Sequence, residues 1–485
     1  MAELNSPELV LSCRRSVPGA VPYEESFFGS KGFKQCIPMN PDQIGLATSI
    51  FSIGGLIGSF YVGAITDKYG RKVTSYIHCA MFILGSILNG LSNSFIGLVF
   101  GRFVCGLGAG SALVVTSLYI NEVAPTHAKG LLGSMNQVSI NIGILITQML
   151  ALKLSNDNDW RWLLIAAAVI ATCNVIVLVV SVHESPVWLF AQGAHDEAYK
   201  TLHRLRGGSY SQVTEEVESW KQNASDGGST NGNGNGGEND PESDALVVED
   251  SQLEDGRPSV EVFDDDDETS EKGSVSLKKY ITSPEYAKSR IASTGILILQ
   301  QFDGINSIIF YGVSVLVSIF PNHSILVNCL ISLVNVVVTF GAANVVDRLG
   351  RKPMLLTSVS FLGVATVLMG LGIINNSSIL AIVGTFTYIT FFAIGLGPIP
   401  FLLVGEVSQP QAKAAAQSFG TVLNWVATFI VGYSFPVLLH SIGGYVYFIF
   451  TVMCAFSVWF IRNYIPETKG KSTYAEVWGT FENHR

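Results

Sequence analysis

The sequence predicts an all-α integral membrane protein built from two similar halves. Only 14% of its 485 residues are charged, where about 25% is usual for a soluble globular protein. Mean hydropathy is +0.39, and about eleven separate apolar stretches are each long enough to cross a bilayer. Charged motifs recur between the first and second parts of the chain at a nearly constant offset. These observations exclude an ordinary soluble enzyme.

The membrane spans follow from the length of the apolar stretches. A helix needs about 20 apolar residues to cross the hydrocarbon core. The stretches that meet this length are 43–65, 74–92, 95–118, 131–153, 162–182, 290–313, 325–346, 354–374, 379–403, 416–438 and 443–463. One such run can be a core helix of a soluble protein, but eleven in one chain favour membrane spans.

Basic residues in short loops predict the orientation, because cytoplasmic loops retain Lys and Arg. The loops that carry them contain Lys68, Arg71, Lys72, Arg348, Arg351, Lys352, Lys469 and Lys471. Counting spans from either half places residues 1–42 outside the cytoplasm. This segment is polar and has no apolar signal-peptide region, so we expect one further helix before Met1, which completes two six-helix halves.

Seven cysteines are present, without CxxC or metal-ligand spacing. Cys13 and Cys36 share the outward segment, and a disulfide between them is our hypothesis for an oxidising compartment. The other five, in apolar stretches, are predicted to be buried thiols. No set of His, Cys and carboxylate residues converges, so the sequence predicts no metal site and no cofactor.

Charge is concentrated between the two halves. Residues 215–271 hold 19 acidic and two basic residues, a net charge of −17 against −9 for the whole chain, so the remainder carries +8. Such a composition predicts disorder and gives no indication of nucleic-acid binding. A regulatory role and a tolerated insertion both remain open.

The predicted organisation is a non-cytoplasmic segment 1–42, a first membrane half 43–182, a cytoplasmic helical linker 183–221, an acidic insert 222–274, a second linker 275–289, a second membrane half 290–463 and a cytoplasmic tail 464–485.

Three spaced features repeat in the two halves. The motif at 67–72 recurs at 347–352, an offset of 280; a Glu with Lys seven residues later recurs at an offset of 284; and Glu184 recurs as Glu467, an offset of 283. Two similar halves with the substrate between them are therefore predicted. We expect the repeated charges to form a gate whose pairs form when the halves close on the cytoplasmic side. The gate candidates are Asp67, Arg71, Glu122, Lys129, Asp347, Arg351, Glu406 and Lys413.

Polar residues inside the apolar helices are mostly amides. An amide both donates and accepts hydrogen bonds, which suits an uncharged substrate with several hydroxyls. Any single Asn or Gln can equally have a structural role, in which its side chain forms a hydrogen bond to a neighbouring helix. Gln300, Gln301 and Asn306 can face one cavity only if their helix is bent, which Gly304 permits. Prolines within 395–400 predict a second helix break. No phosphate loop, nucleophile elbow or zinc motif occurs, which argues against an enzyme.

Several motifs resemble the sugar porter family of the major facilitator superfamily, over nearly the whole chain except about 222–274. They are 63–72 (GAITDKYGRK), 101–102 (GR), 119–125 (YINEVAP), 160–162 (WRW), 184–189 (ESPVWL), 300–306 (QQFDGIN) and 466–470 (PETKG). The resemblance implies the major facilitator fold of twelve helices and alternating access. It also implies a monosaccharide site formed by Gln137, Gln300, Gln301, Asn306, Asn335 and Asn424, with Trp425 nearby.

The sequence departs from the family pattern at three positions. Val187 replaces a usual Arg, Phe401 replaces the Trp of many glucose carriers, and Asp303 replaces the Ser of many hexose carriers. The substrate is therefore narrowed only to a sugar or polyol. Proton-coupled members of the family carry a carboxylate in their first helix. We expect that helix to precede Met1, so the sequence leaves coupling to H⁺ open.

We expect a transporter of a monosaccharide or polyol in the lipid bilayer, with H⁺ as an open second partner. The closest likeness is to a fungal branch of the family, which places it in the vacuolar or plasma membrane. A non-transporting sugar sensor on the same fold is the alternative, with the acidic insert as its only signalling segment. A carrier of drugs or organic ions is disfavoured by the amide-rich, charge-poor helices. Nothing in the sequence indicates an oligomer.

Overall fold

The computed structural model describes residues 27–34, 36–39, 41–154, 159–207, 213–214, 216–217, 275–309, 324–471 and 473–483. Within these ranges the chain is helical and has no β-strand. The predicted acidic insert 222–274 lies outside the described residues, so its disorder stays a prediction. The all-α fold class is confirmed.

The first half contains five long helices. They are α1 (Pro41–Tyr69), α2 (Arg71–Leu91), α3 (Phe95–Val123), α4 (Lys129–Leu154) and α5 (Trp160–Ser181). Gly70 separates α1 from α2 with φ of 87°, a conformation that favours glycine. Ser94 caps α3 by accepting a hydrogen bond from the backbone N–H of Gly97 at 3.2 Å, a donor that the first turn leaves unpaired.

Short amphipathic helices follow the first half. They are α6 (Pro186–Ala191), α7 (His195–Arg206) and α8 (Leu277–Thr282). Ser185 caps α6 and Ser276 caps α8, and Gly207 ends α7 in the left-handed conformation. Leu202 packs in a buried cluster with Val213 and Val217. Helix is therefore present over Pro186–Ala191 and His195–Arg206, and the cytoplasmic linker 183–221 as a whole stays a prediction.

The second half repeats the arrangement with more interruptions. Its helices are α9 (Ala287–Phe302), α10 (Ser324–Ala343), α11 (Val346–Leu349), α12 (Arg351–Ile374), α13 (Ser378–Phe391), α14 (Ile399–Val407), α15 (Lys413–Ile442) and α16 (Val446–Tyr464), and α17 (Tyr474–Asn483) follows in the C-terminal tail. Trp478 in α17 donates to the carbonyl of Val407 at 3.1 Å, which fixes the tail against α14.

Nine apolar segments among the described residues are long enough to cross a membrane, and one of them, Pro410–Tyr464, contains both α15 and α16. The predicted span 290–313 is interrupted, because α9 ends at Phe302 and helix resumes over 305–309 after a turn at Gly304. The predicted span 379–403 contains a π-helical segment, Phe392–Leu396, between α13 and α14. Both breaks occur where glycine or proline predicted them.

Large apolar side chains cover the outer faces of the long helices. Ile96, Val180 and Ile379 are each about three-quarters exposed, which is costly in water but suits lipid. Inside, a large core of the second half includes Leu297, Val359 and Leu396. The helices thus bury one face against protein and turn the other towards hydrocarbon.

The two halves meet through close helix contacts. Ser418 of α15 donates to the carbonyl of Ser59 in α1, and a Cβ on Gly63 would lie 3.2 Å from Ser418 Cβ. α4 also packs against α10 of the other half. Small residues at these crossings let the backbones approach closely.

Candidate functional site

A charged cluster joins α1, α2 and α3 at one end of the first half. Arg71 donates from Nε to Glu122 Oε2 at 2.8 Å and from Nη2 to Glu122 Oε1 at 2.6 Å, a bidentate pair. Asp67 lies 3.7 Å from the same guanidinium. Glu184 accepts the backbone N–H groups of Arg71 at 2.8 Å and Lys72 at 3.1 Å, so it caps the first turn of α2.

The second half contains a matching cluster. Arg351 donates to Glu406 from Nη2 at 2.8 Å and from Nε at 3.2 Å, and Asp347 lies 3.0 Å from Arg351 Nη1. Glu467 accepts the N–H groups of Arg351 and Lys352, each at 3.0 Å. The repeated motifs therefore build the same set of contacts twice.

The strongest ion pairs form within each half and not between the halves. Arg71 and Glu122 both belong to the first half, and Arg351 and Glu406 both belong to the second. This differs from the expectation that the repeated charges pair only when the halves close. The physical reason is that each Arg begins a helix packed beside the helix that carries its Glu. These pairs fix the helix ends within a half.

Asp347 makes the direct link between the halves at this charged end. Its carboxylate accepts the N–H groups of Gly130 at 3.0 Å and Leu131 at 2.9 Å, in the first turn of α4. A carboxylate at a helix N-terminus satisfies unpaired donors and interacts favourably with the helix dipole. Asp347 thus caps a helix of the opposite half.

Two lysines interact electrostatically with carboxylates of the opposite half. Lys129 interacts with Glu406 of the second half, and Lys413 interacts with Glu122 of the first half. Each lysine begins a long helix of its own half. Lys413 also interacts with Glu406 of its own half and is repelled by Lys129. The eight predicted gate residues therefore lie at one end of the molecule, and their gating role stays a prediction.

The same end is closely packed by small residues that the gate prediction missed. A Cβ on Gly405 of α14 would lie 2.5 Å from Asn121 Cγ of α3, and one on Gly133 would lie 2.5 Å from Leu402 Cδ1. No motif in the sequence distinguished these contacts. Glu184 and Glu467, by contrast, were indicated by their place in the repeat.

Four of the predicted sugar-site amides form a continuous chain in the second half. Asn306 donates to Gln301 Oε1 at 2.7 Å, Gln301 donates to Gln300 Oε1 at 3.3 Å, and Asn424 donates to Gln300 Oε1 at 3.1 Å. All four are at most 8% exposed. The turn at Gly304, with φ of 105°, brings Asn306 back towards Gln301. We call this set the amide chain.

Gln300 also completes the broken helix opposite it. Its Nε2 donates to the carbonyl of Leu396 at 2.7 Å and to that of Gly397 at 3.3 Å. The helical partner of the Leu396 carbonyl would be residue 400, which is Pro400 and has no N–H. Gln300 supplies the donor that Pro400 lacks. The same side chain therefore belongs to the amide chain and stabilises the interruption between α13 and α14.

The remaining two amides lie in a second network that crosses between the halves. Gln137 of α4 donates to Asn141 Oδ1 at 3.1 Å, and Asn141 donates to Asn335 Oδ1 at 3.0 Å and to Thr339 Oγ1 at 2.9 Å on α10. Asn141, which the predicted site omitted, is the connecting residue. Its position one turn after Gln137 was the available signal.

Trp425 of α15 faces the first half. A Cβ on Gly55 would lie 2.5 Å from its ring, and Phe51 packs edge-on at a centroid distance of 5.9 Å. Within the described residues, the buried Trp425 Nε1 has no hydrogen-bond partner. It follows directly after Asn424 on α15, so an N–H donor and an apolar ring lie one residue along the helix from a member of the amide chain.

The disulfide hypothesis concerns the outward segment. Cys36 is disulfide-bonded, and Cys13 lies outside the described residues, so the predicted pairing stays a prediction. Cys79, Cys105, Cys329 and Cys454 are buried, as predicted. The prediction is wrong for Cys173, which is exposed because it lies on the outer face of α5. Among the described residues no group of three His, Cys, Asp or Glu side chains is placed to hold a metal ion.

Two helical halves, a duplicated charged end and buried amides between broken helices define a multi-pass membrane transporter of the major facilitator type. The chain matches the family described as "Sugar (and other) transporter" over residues 19–235 and 240–478. The protein belongs to this sugar transporter family, and the resemblance stated from its motifs is confirmed.

Related proteins support the same placement. The chain is 45% identical to the probable metabolite transport protein YBR241C of Saccharomyces cerevisiae, over 99% of this chain and 92% of that protein. It is 39% identical to vacuolar protein sorting-associated protein 73 of the same yeast, over 97% and 90% of the two chains. A structure of the proton:xylose symporter XylE bound to 6-bromo-6-deoxy-D-glucose shares the fold, with a TM-score of 0.75 and 21% identity over 90% of this chain and 89% of that one.

Proposed function

We propose that this protein carries a monosaccharide or polyol across a vacuolar or plasma membrane by alternating access of its two halves. The observation that carries the proposal is the amide chain, together with the Trp425 N–H, which has no hydrogen-bond partner among the described residues. Amides can both donate to and accept from hydroxyls, and an indole N–H can donate to them, but neither group neutralises a charge. An uncharged, hydroxyl-rich solute fits these groups better than an organic ion does.

The duplicated charged end supports the transport part of the proposal. Ion pairs within each half make the halves stiff, while the hydrogen bonds from Gly130 and Leu131 to Asp347 must break for the halves to separate there. Stiff halves joined by few polar contacts can rock as units around a central site. The vacuolar assignment is supported by the name of one yeast relative.

Uptake of labelled hexoses and polyols into proteoliposomes tests the proposal. We expect Gln301→Ala to weaken sugar binding by about 1–3 kcal/mol, because Asn306 and the sugar each lose a partner. Asn375→Ala is the matched control, since Asn375 is an exposed amide that bonds only its own helix. Equal affinities in the two variants contradict the assignment of Gln301 to the site.

The same experiment separates transport from sensing. Accumulation inside the vesicles supports a carrier, and an imposed pH gradient that raises the accumulation supports coupling to H⁺. Binding that saturates without uptake favours the sensor alternative. Competition by organic cations, with none by sugars, contradicts both.

A further inference from the structure

A buried carboxyl lies inside the proposed sugar site, and the contacts described so far leave it unused. Asp303 has 0% exposure and occupies the turn between Gln301 and Asn306. Its backbone N–H bonds to the carbonyl of Leu299 at 2.9 Å, and its own carbonyl accepts the hydroxyl of Tyr388 at 3.0 Å. The side chain therefore has a position fixed by both neighbouring helices.

Among the residues that the structure describes, none places a counter-charge beside the Asp303 side chain. Ser457 of α16 donates to Oδ1 at 2.8 Å, while Oδ2 has no hydrogen-bond partner among the described residues. The titratable groups that interact with it are the Cys454 thiol of α16, as a hydrogen-bond partner, and Tyr388 of α13. In the described part of the chain it forms no ion pair with Lys, Arg or His.

A carboxylate in this position is costly, because an unpaired charge loses its hydration without compensation. The neutral acid avoids that cost, because Oδ1 can accept from Ser457 while Oδ2 carries the proton. In the carboxylate form the Ser457 hydroxyl and the Cys454 thiol offset part of the cost, so Asp303 can exist in either form.

The position of Asp303 links its charge to the sugar-binding amides. The side chains of Gln301 and Asn306 bond to each other at 2.7 Å across the turn that contains Asp303 and Gly304. A Cβ on Gly304 would lie 2.8 Å from the ring of Phe450, so this turn has little room to move without displacing both amides. Ionisation of Asp303 favours drawing water or a donor into the turn, which shifts the amide chain.

We propose that Asp303 is a proton-binding site linked to the amide chain, and that the sugar or polyol binds with Asp303 protonated. This inference rests on the proposed function, since it requires that the amide chain binds the solute. Above the pH at which Asp303 loses its proton, each solute that binds brings one proton from water to Oδ2. Below that pH, Asp303 is already protonated and no proton is exchanged.

The test is solute affinity measured across pH on the purified full chain. A group that must be protonated for binding leaves affinity constant below its transition and weakens it by about tenfold per pH unit above it. Asp303→Asn, nearly isosteric and permanently neutral, should bind with the low-pH affinity at every pH. Ser457→Ala keeps the acid but removes the donor that stabilises the carboxylate, so its transition should move to higher pH.

Identical pH profiles for the wild type and Asp303→Asn overturn the proton linkage while leaving the proposed function intact. Absence of solute binding by the wild type at any pH instead overturns the proposed function, and the linkage with it. If Asp303→Asn does not fold, Asp303→Ser takes its place as the variant without an acid. Proton uptake by the wild type is then measured directly. Adding solute to weakly buffered wild type above the transition must raise the pH by proton uptake, and no change overturns the inference.

Discussion

Replacing Asp347 with Ala should open the charged end of the molecule. The Asp347 carboxylate accepts two backbone N–H groups from α4, of Gly130 at 3.0 Å and Leu131 at 2.9 Å. These hydrogen bonds join the halves, so they exist only while the halves are closed at this end. Their loss destabilises only the closed state, whereas loss of the pair with Arg351 inside the second half affects both states alike.

The magnitude follows from the geometry. A hydrogen bond to a charged group contributes about 1.5–3 kcal/mol, and removal of a helix N-cap typically costs about 1 kcal/mol. The Asp347 side chain is 23% exposed, so solvent screens part of the gain. We therefore expect the closed state to lose about 2 kcal/mol of stability relative to the open state. This loss raises the ratio of open to closed molecules by about 30-fold.

Alkylation of a cysteine placed at Ser418 measures this ratio. Ser418 is 1% exposed and bonds across the halves to Ser59, so a membrane-impermeant maleimide reaches it only after separation. Ser418→Cys alone is the reference, and Asp347→Ala in that background should react about 30-fold faster. Asp347→Asn keeps one acceptor oxygen without the charge and should fall between them. Equal rates in all three would refute the reasoning.

Two further predictions concern the same end. Gly405→Val places a side chain against Asn121 of the opposite half, so it should also accelerate labelling at Ser418 while solute affinity in the open state is retained; slower labelling would contradict it. Arg71→Ala leaves Glu122 buried without its bidentate partner, and we expect a loss of about 3–5 kcal/mol of stability, measured as a lower melting temperature in detergent. A melting temperature equal to that of the wild type would show that the pair contributes little.

Much of the fold could be predicted because lipid imposes simple rules on a sequence. Helices in hydrocarbon must satisfy their own backbone, so length and hydropathy locate the spans. Local backbone chemistry also predicted the breaks, at Gly304 and within 395–400. The repeated motifs indicated two halves, and each repeat produced the same contacts around Arg71 and Arg351.

The sequence was less informative about which groups meet. It predicted gate charges that pair on closure, whereas Arg71 and Arg351 pair inside their own halves and Asp347 makes the direct contact across. Six amides were assigned to one site, whereas they lie in two networks, one of them connected through Asn141. Hydropathy and motif spacing carry no information about distances between helices far apart in the chain.

The sequence by itself determined the class of protein, the approximate spans and the residue types available for a polar, uncharged solute. Only the tertiary structure decided that Gln300 replaces the N–H missing at Pro400, and that Asp303 is enclosed without a counter-charge among the described residues. The physical reason is that burial and hydrogen-bond partners depend on packing between helices. Periodicity along the chain reports only the faces that each helix offers.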